Sequence, residues 1–173
     1  MMKKIALFAV AMLMTVAANA QFEQGKGYLG ASVSGFDISS QAKKFHLGLN
    51  AKVGYLLFED IMLTAQVGYE HLKGADDGFQ LGAGGRYYIA QNGLFLGADL
   101  KYRHGGTFAG EESCASFNDF VPGVQVGYAF FIIRTVTFEP ELYFDISTKK
   151  FDYSSYGLRL GVGVYLFRDQ TKN

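Results

Sequence analysis

The chain has 173 residues, 49% of them hydrophobic, and 16 Lys and Arg balance 16 Asp and Glu. That length suits one domain, and the absence of positive excess leaves no electrostatic footprint for nucleic acid. Cys114 is the one cysteine, so no intramolecular disulfide can form and stability has to come from packing and hydrogen bonds.

Residues 1–20 read as a signal peptide: Lys3 and Lys4, an apolar run from Ile5 to Ala18, and a small-x-small site at Ala18-Asn19-Ala20 ahead of Gln21. The apolar run is shorter than the roughly 20 residues a membrane-spanning helix needs. Residues 21–173 are expected to form a single domain, in which 14 basic residues face 16 acidic ones. Cys114 lies far from the cleavage site and is not a lipid-attachment cysteine; its expected setting is a loop.

Strict alternation then recurs along the chain, the signature of strands with one apolar face. The first strand lies near Gly27 to Gly35, with Leu29, Ala31 and Val33 opposing Gly30, Ser32 and Ser34. Phe45 to Leu57 alternates with His46, Gly48, Asn50, Lys52 and Gly54 on the other parity. Ile61 to Tyr69 opposes Thr64, Gln66, Gly68 and Glu70, and Phe79 to Ile89 opposes Gln80, Gly82, Gly84 and Arg86. Leu94 to Tyr102 opposes Gly97, Asp99, Lys101 and Arg103, and Phe120 to Phe130 opposes Gly123, Gln125 and Gly127. Val136 to Ile146 opposes Thr137, Glu139, Glu141, Tyr143 and Asp145, and Tyr156 to Leu166 opposes Gly157, Arg159, Gly161 and Gly163. Eight such strands predict an all-β fold, an eight-stranded antiparallel up-and-down barrel.

A soluble barrel and a membrane barrel share this pattern with opposite polarity. Three features favour lipid outside. The polar face is crowded with glycine, which suits a narrow interior that also admits ions. Aromatic residues mark both ends of the apolar face: Phe45, Tyr69, Phe79, Tyr102, Phe120, Phe144 and Tyr156 at one end, Tyr55, Tyr87, Tyr128 and Phe130 at the other. Such girdles bound an outer-membrane barrel's apolar band; Phe45 to Tyr55, at about 3.3 Å per residue and a tilt of about 40°, spans roughly 25 Å. Finally, the apolar face carries essentially no charge.

Short connections at 58–60, 91–93 and 131–135 are expected at the periplasmic end, Asn92-Gly93 being a hairpin signal. The longer connections, 37–44, 73–78, 104–118 and 147–155, are expected outside, and an even strand number puts both termini in the periplasm. Two residues disturb the pattern. Phe36 breaks the first strand's parity, predicting a bulge or an earlier end, and Pro140, in mid-strand without an N–H, predicts a bulge.

This arrangement resembles the small eight-stranded outer-membrane barrels of the OmpA/OmpX type, especially the outer-membrane β-barrel and porin-family proteins of Bacteroidota. In that family the last strand carries an assembly signal, which Arg159, Gly161, Val164 and Leu166 fit, whereas Tyr165 and Phe167 fall in the opposite parity and Arg168 to Asn173 run past the usual end. The resemblance implies a monomer in the bacterial outer membrane. Its partners would be membrane lipid, lipopolysaccharide and the assembly machinery, with no cofactor.

The predicted interior holds Lys52, Arg86, Lys101, Arg103 and Arg159 against Glu70, Asp99, Glu139, Glu141 and Asp145. An eight-stranded barrel is wide enough only for side chains to fill, and buried ions require partners. The expectation is a salt-bridge network that plugs the lumen of a structural or surface-interaction scaffold; the alternative is a narrow porin-like channel for small solutes or ions. No enzyme is expected: His46, His71 and His104 lie in different segments with no compact His-x-Ser motif, and their separation also argues against a metal site. The glycines of Gly82-x-Gly84-Gly85 alternate within a strand and lack the helix a phosphate loop requires. The 104–118 loop, with Phe108, Glu111, Glu112, Cys114 and Phe117, is the candidate surface for an extracellular ligand.

Overall fold

The computed structural model of the chain describes residues 22–37, 47–71, 78–105, 118–148 and 154–166. The expected signal peptide, Phe45, His46, Cys114, Phe167 and most of the four outward connections lie outside the described residues. Eight long strands account for the fold: β1 (Gly27–Asp37), β2 (Leu47–Phe58), β3 (Ile61–His71), β4 (Gly78–Tyr88), β5 (Leu94–Gly105), β6 (Asn118–Tyr128), β7 (Val136–Asp145) and β8 (Ser155–Leu166). Each pairs antiparallel with its neighbours in sequence. β1 also pairs with β8, so the sheet closes on itself.

The register determines the barrel's shape. From Asp37 the paired positions run through Gly157, Tyr143, Gln125, Gly97, Arg86, Met62 and Leu56. Leu56 then donates its N–H to the Lys26 carbonyl, just ahead of β1, at 3.0 Å. The circuit therefore comes back offset by about ten residues, once a bulge is discounted, which tilts the strands by about 40°. That bulge is the register shift between Ser34 and Phe36, so of the two outcomes expected at Phe36 it is the bulge that occurs and β1 continues to Asp37.

Alternation decides which side chains point where. Leu49, Val53, Leu63, Leu81, Leu100, Val124 and Leu142 form an exposed apolar belt, while the opposite parity is buried and largely polar. In water such a belt would be a severe aggregation liability; against lipid it is the required surface.

Two details depart from expectation. At Pro140 there is no bulge: β7 runs through it in register with β8, Pro140 opposite Leu160. The strain is taken up on the other side. The ladder with β6 breaks after the Gly127 and Glu141 pair and resumes, in the same register, at the two-residue strand Phe130–Phe131 opposite Phe138 and Thr137. The missing N–H thus removes a rung without adding a residue, while on the other side of the strand the Ala129 N–H extends the β5–β6 ladder to the Gly93 carbonyl at 2.8 Å. The β4–β5 connection is also longer than an Asn-Gly hairpin. Its last pair is Tyr88 with Phe95, and a 3-10 turn, Ile89–Gln91, intervenes with Ala90, Gln91 and Gly93 all at positive φ. Asn92 stabilises that turn by accepting the Leu94 N–H on its side-chain oxygen at 2.9 Å.

Candidate functional site: the barrel lumen

Three tiers of side chains occupy the lumen. At the end of the short turns lies an apolar floor of Phe22, Leu56, Met62, Tyr88, Phe95, Ala129 and Tyr165. Phe22, from the segment before β1, is fully buried; its ring stacks on Tyr88 at 3.8 Å and meets Tyr165 edge-on at 5.5 Å. The backbone fixes it there, since the Asp60 N–H donates to the Phe22 carbonyl and the Gly25 N–H to that of Leu56. The Tyr88 and Tyr165 hydroxyls share a hydrogen bond of 2.7 Å, so the polar tips of this floor are satisfied.

Above it sit two carboxylates from β7. Glu139 accepts Arg86 Nη1 at 2.7 Å and the Tyr28 hydroxyl at 2.8 Å on one oxygen, and the Thr137 hydroxyl at 2.7 Å on the other. Glu141 accepts Arg86 Nη2 at 2.8 Å and Arg159 Nη1 at 2.6 Å, with Lys52 Nζ at 3.6 Å. The Arg86 guanidinium also lies 4.2 Å from the centre of the Phe95 ring, and that of Arg159 4.2 Å from the Tyr143 ring. These contacts join the ionic tier to aromatic faces that attract cations.

The outer tier centres on Asp145, which accepts Lys101 Nζ at 2.6 Å and Arg103 Nη2 at 2.8 Å; Lys101 also lies 3.1 Å from Asp99. Nearby, Asp119 accepts the hydroxyls of Ser147 and Thr148. The side chains in these pairs are nearly inaccessible to solvent. Buried carboxylates and guanidiniums are tolerable only in this paired and hydrogen-bonded form.

Inward glycines make room for these groups. A Cβ on Gly163 would sit 2.6 Å from both Glu139 and Tyr28, and one on Gly127 2.5 Å from Phe95. A long side chain on one strand lies across a bare stretch of the next. The cavity bounded by Tyr28, Lys52, Arg86, Glu139 and Glu141 leaves a water's centre about 10 Å³, room for about one water.

Of the ten predicted interior ions, Lys52, Arg86, Asp99, Lys101, Arg103, Glu139, Glu141, Asp145 and Arg159 are buried in the lumen; the Glu70 side chain lies outside the described residues. Tyr55, Tyr69, Phe79, Tyr87, Tyr102, Phe120, Phe144 and Tyr156 point outward and are exposed, and Tyr128 and Phe130 are half-buried with rings 4.4 Å apart. His104 points outward and bonds Asn118. Periodicity alone did not single out Asp119 or the floor. Yet the floor's Leu56, Met62, Tyr88, Phe95 and Tyr165 all hold the polar parity at the short-turn ends of their strands, a local reversal that marks them.

A closed antiparallel eight-stranded barrel, apolar outside and ion-paired inside, is the architecture of the small outer-membrane β-barrels. No protein-family model and no curated protein sequence matches the chain. Among solved structures it is similar to the N-terminal β-barrel domain of Pseudomonas aeruginosa OprF, at 16% identity and a TM-score of 0.63, covering 83% of this chain and 98% of that one. It is also similar to Neisserial surface protein A, at 16% identity and 0.61, covering 82% and 97%. Yersinia pestis Ail, the attachment invasion locus protein, gives 15% and 0.51 in a crystal structure with the heparin analogue sucrose octasulfate, covering 83% and 99%.

Proposed function

We propose that this chain is an integral protein of the bacterial outer membrane, exported by the signal peptide at 1–20, with both termini in the periplasm and a lumen closed by its own side chains. It acts as a scaffold, with any recognition carried by the outward connections, above all 104–118. The observation that carries this reading is the lumen itself: carboxylates on β7 pair directly with cations from β2, β4, β5 and β8, and the cavity beside Lys52, Arg86, Glu139 and Glu141 has room for about one water. The solved relatives of this fold include a surface protein and one bound to a polyanionic sugar, which supports surface interaction as the role of such a scaffold.

Two measurements test the proposal. The purified protein should migrate differently on a gel before and after boiling, as folded barrels of this type do; an unchanged position would argue for a soluble barrel. In planar bilayers it should show no steady conductance. A persistent current of porin size would replace the plug with the channel reading.

A further inference from the structure

The periplasmic rim has three turns of very different chemistry. The β2–β3 turn carries Glu59 and Asp60, the β4–β5 turn the uncharged Gln91 and Asn92, and the β6–β7 turn Ile132, Ile133 and Arg134. Ile132 and Ile133 are 67% and 59% exposed, among the most exposed large apolar residues of the barrel. They sit in a defined turn, in which the Ile132 N–H bonds the Val136 carbonyl at 2.9 Å and the Val136 N–H bonds that of Ile133 at 3.3 Å. The turn has no packing reason to present two isoleucines outward, because Phe131 already supplies its contact with the floor.

Strand order fixes where these turns lie. In an eight-stranded ring with neighbours in sequence order, the β2–β3 and β6–β7 turns are diametrically opposed. Among the described residues, the rim is therefore acidic at the β2–β3 turn, and apolar with Arg134 as the turn's cation on the opposite side. On the β6–β7 side the outward apolar surface is continuous from Val124 and Val126 through the Tyr128 and Phe130 rings to Ile132, about 5 Å further along the axis at this tilt. On the opposite side Phe58 and Ile61 are exposed but flank the two carboxylates directly.

We infer that the β6–β7 turn is a lipid-docking surface: Ile132 and Ile133 enter the periplasmic leaflet, Arg134 meets anionic phospholipid headgroups, and the barrel stands tilted with this side deeper than the β2–β3 side. Continuity with the lipid-facing belt and the charge of Arg134 favour lipid over a protein partner. An arginine reaches headgroups while its stem stays in apolar surroundings. Carboxylates at the opposite turn are repelled by the same headgroups, and a longer apolar span on one side is accommodated by tilt.

This inference rests on the membrane reading above, and one experiment separates the two. The protein contains no tryptophan, so Ile133→Trp, Glu59→Trp and Leu100→Trp each provide a sole reporter. The variants are folded into vesicles of phosphatidylcholine and phosphatidylglycerol with brominated acyl chains, and folding is checked by the gel shift. Trp at 100, in mid-belt, should be strongly quenched; Trp at 133 should be quenched severalfold more than Trp at 59. Adding Arg134→Glu should weaken quenching at 133 in anionic vesicles and leave it unchanged in pure phosphatidylcholine. Equal quenching at 133 and 59 with strong quenching at 100 overturns the docking surface and spares the membrane reading. So does a Trp at 133 shielded from water but not quenched, which marks a protein contact. No quenching at 100 overturns both. Should the variant at 133 fail to fold, Ile132→Trp carries the same comparison.

Discussion

Glu141→Gln is the sharpest test of whether the lumen is a dry ionic core. The substitution keeps the side chain's shape and removes the one charge on which Arg86, Arg159 and Lys52 converge. Glu141 is 3% exposed, and its loss leaves three cations in the middle tier with only the Glu139 carboxylate among them. Breaking a buried pair from one side costs about 3–5 kcal/mol, against about 0.2–1 kcal/mol for an exposed pair. With a urea dependence of about 2 kcal/mol per molar, the unfolding midpoint in phospholipid vesicles, read from the unboiled gel band, should fall by roughly 2 M. Glu23→Gln supplies the comparison, because its pair with Lys26 at 3.3 Å lies at the mouth with Glu23 exposed, and its midpoint should hardly move. Adding Arg159→Gln to Glu141→Gln should recover part of the loss, since it removes one stranded cation; coupling of about 0.5–3 kcal/mol is usual for groups in contact. If Glu141→Gln costs no more than Glu23→Gln, water screens the lumen ions and the plug reasoning fails.

Three further outcomes follow from particular contacts. Gly84→Ala should destabilise the barrel by about 1–3 kcal/mol, because its Cβ would run into the Ala98 backbone carbonyl and the Asp99 Cα, whereas Gly85→Ala, facing outward with its nearest atom at 3.4 Å, should stay within about 0.5 kcal/mol in the same urea titration. Phe22→Ala removes a fully buried ring from the floor and should cost about 3–5 kcal/mol by the same assay. Burial, and then the neighbouring Glu59, raise the Asp60 pKa above its ordinary value. A raised folded pKa means that ionisation disfavours the fold, so stability from this group is present at low pH and declines as pH rises through it. Asp60→Asn, which also suits the positive φ of 67° there, should therefore raise the midpoint at neutral pH, by about 0.5 kcal/mol or less after solvent screening.

The strands were legible because a period of two is hard to mimic: each run from Leu29 to Leu166 puts small or polar residues opposite apolar ones. The same parity assigned Lys52, Arg86 and Glu141 to one side of the sheet, although it says nothing of which ions meet, since that depends on barrel closure. Sorting apolar residues outward by default hid the floor. Tyr165 looks misplaced against the last strand's apolar parity, yet its ring fills the lumen's end and its hydroxyl reaches Tyr88. Phe22 lies before the first strand, where no periodicity operates, and its burial depends on a mouth assembled from distant segments. Asp119 was missed because β6 begins at Asn118, before the alternation becomes recognisable. At Pro140 the lost N–H was foreseen, but a one-rung gap resolves it as well as a bulge does, and only the neighbouring strands decide between them.

Two cations of the middle tier reach across the barrel, Arg86 on β4 and Lys52 on β2 both meeting carboxylates on β7, while Arg159 meets Glu141 within the β7–β8 hairpin. Neither Arg86 nor Lys52 meets these carboxylates within its own hairpin. A sheet of the first six strands would carry Lys52 and Arg86 without the carboxylates they meet in the finished cylinder, and the C-terminal hairpin would arrive with Glu141 matched by Arg159 but Glu139 without its cation. Ring closure and the pairing of Arg86 and Lys52 are thus one event, so half-built forms leave these cations unpaired, at a cost in a low-dielectric setting. Completion of the apolar exterior and the pairing of these two cations share one requirement, the C-terminal hairpin in place between β6 and β1.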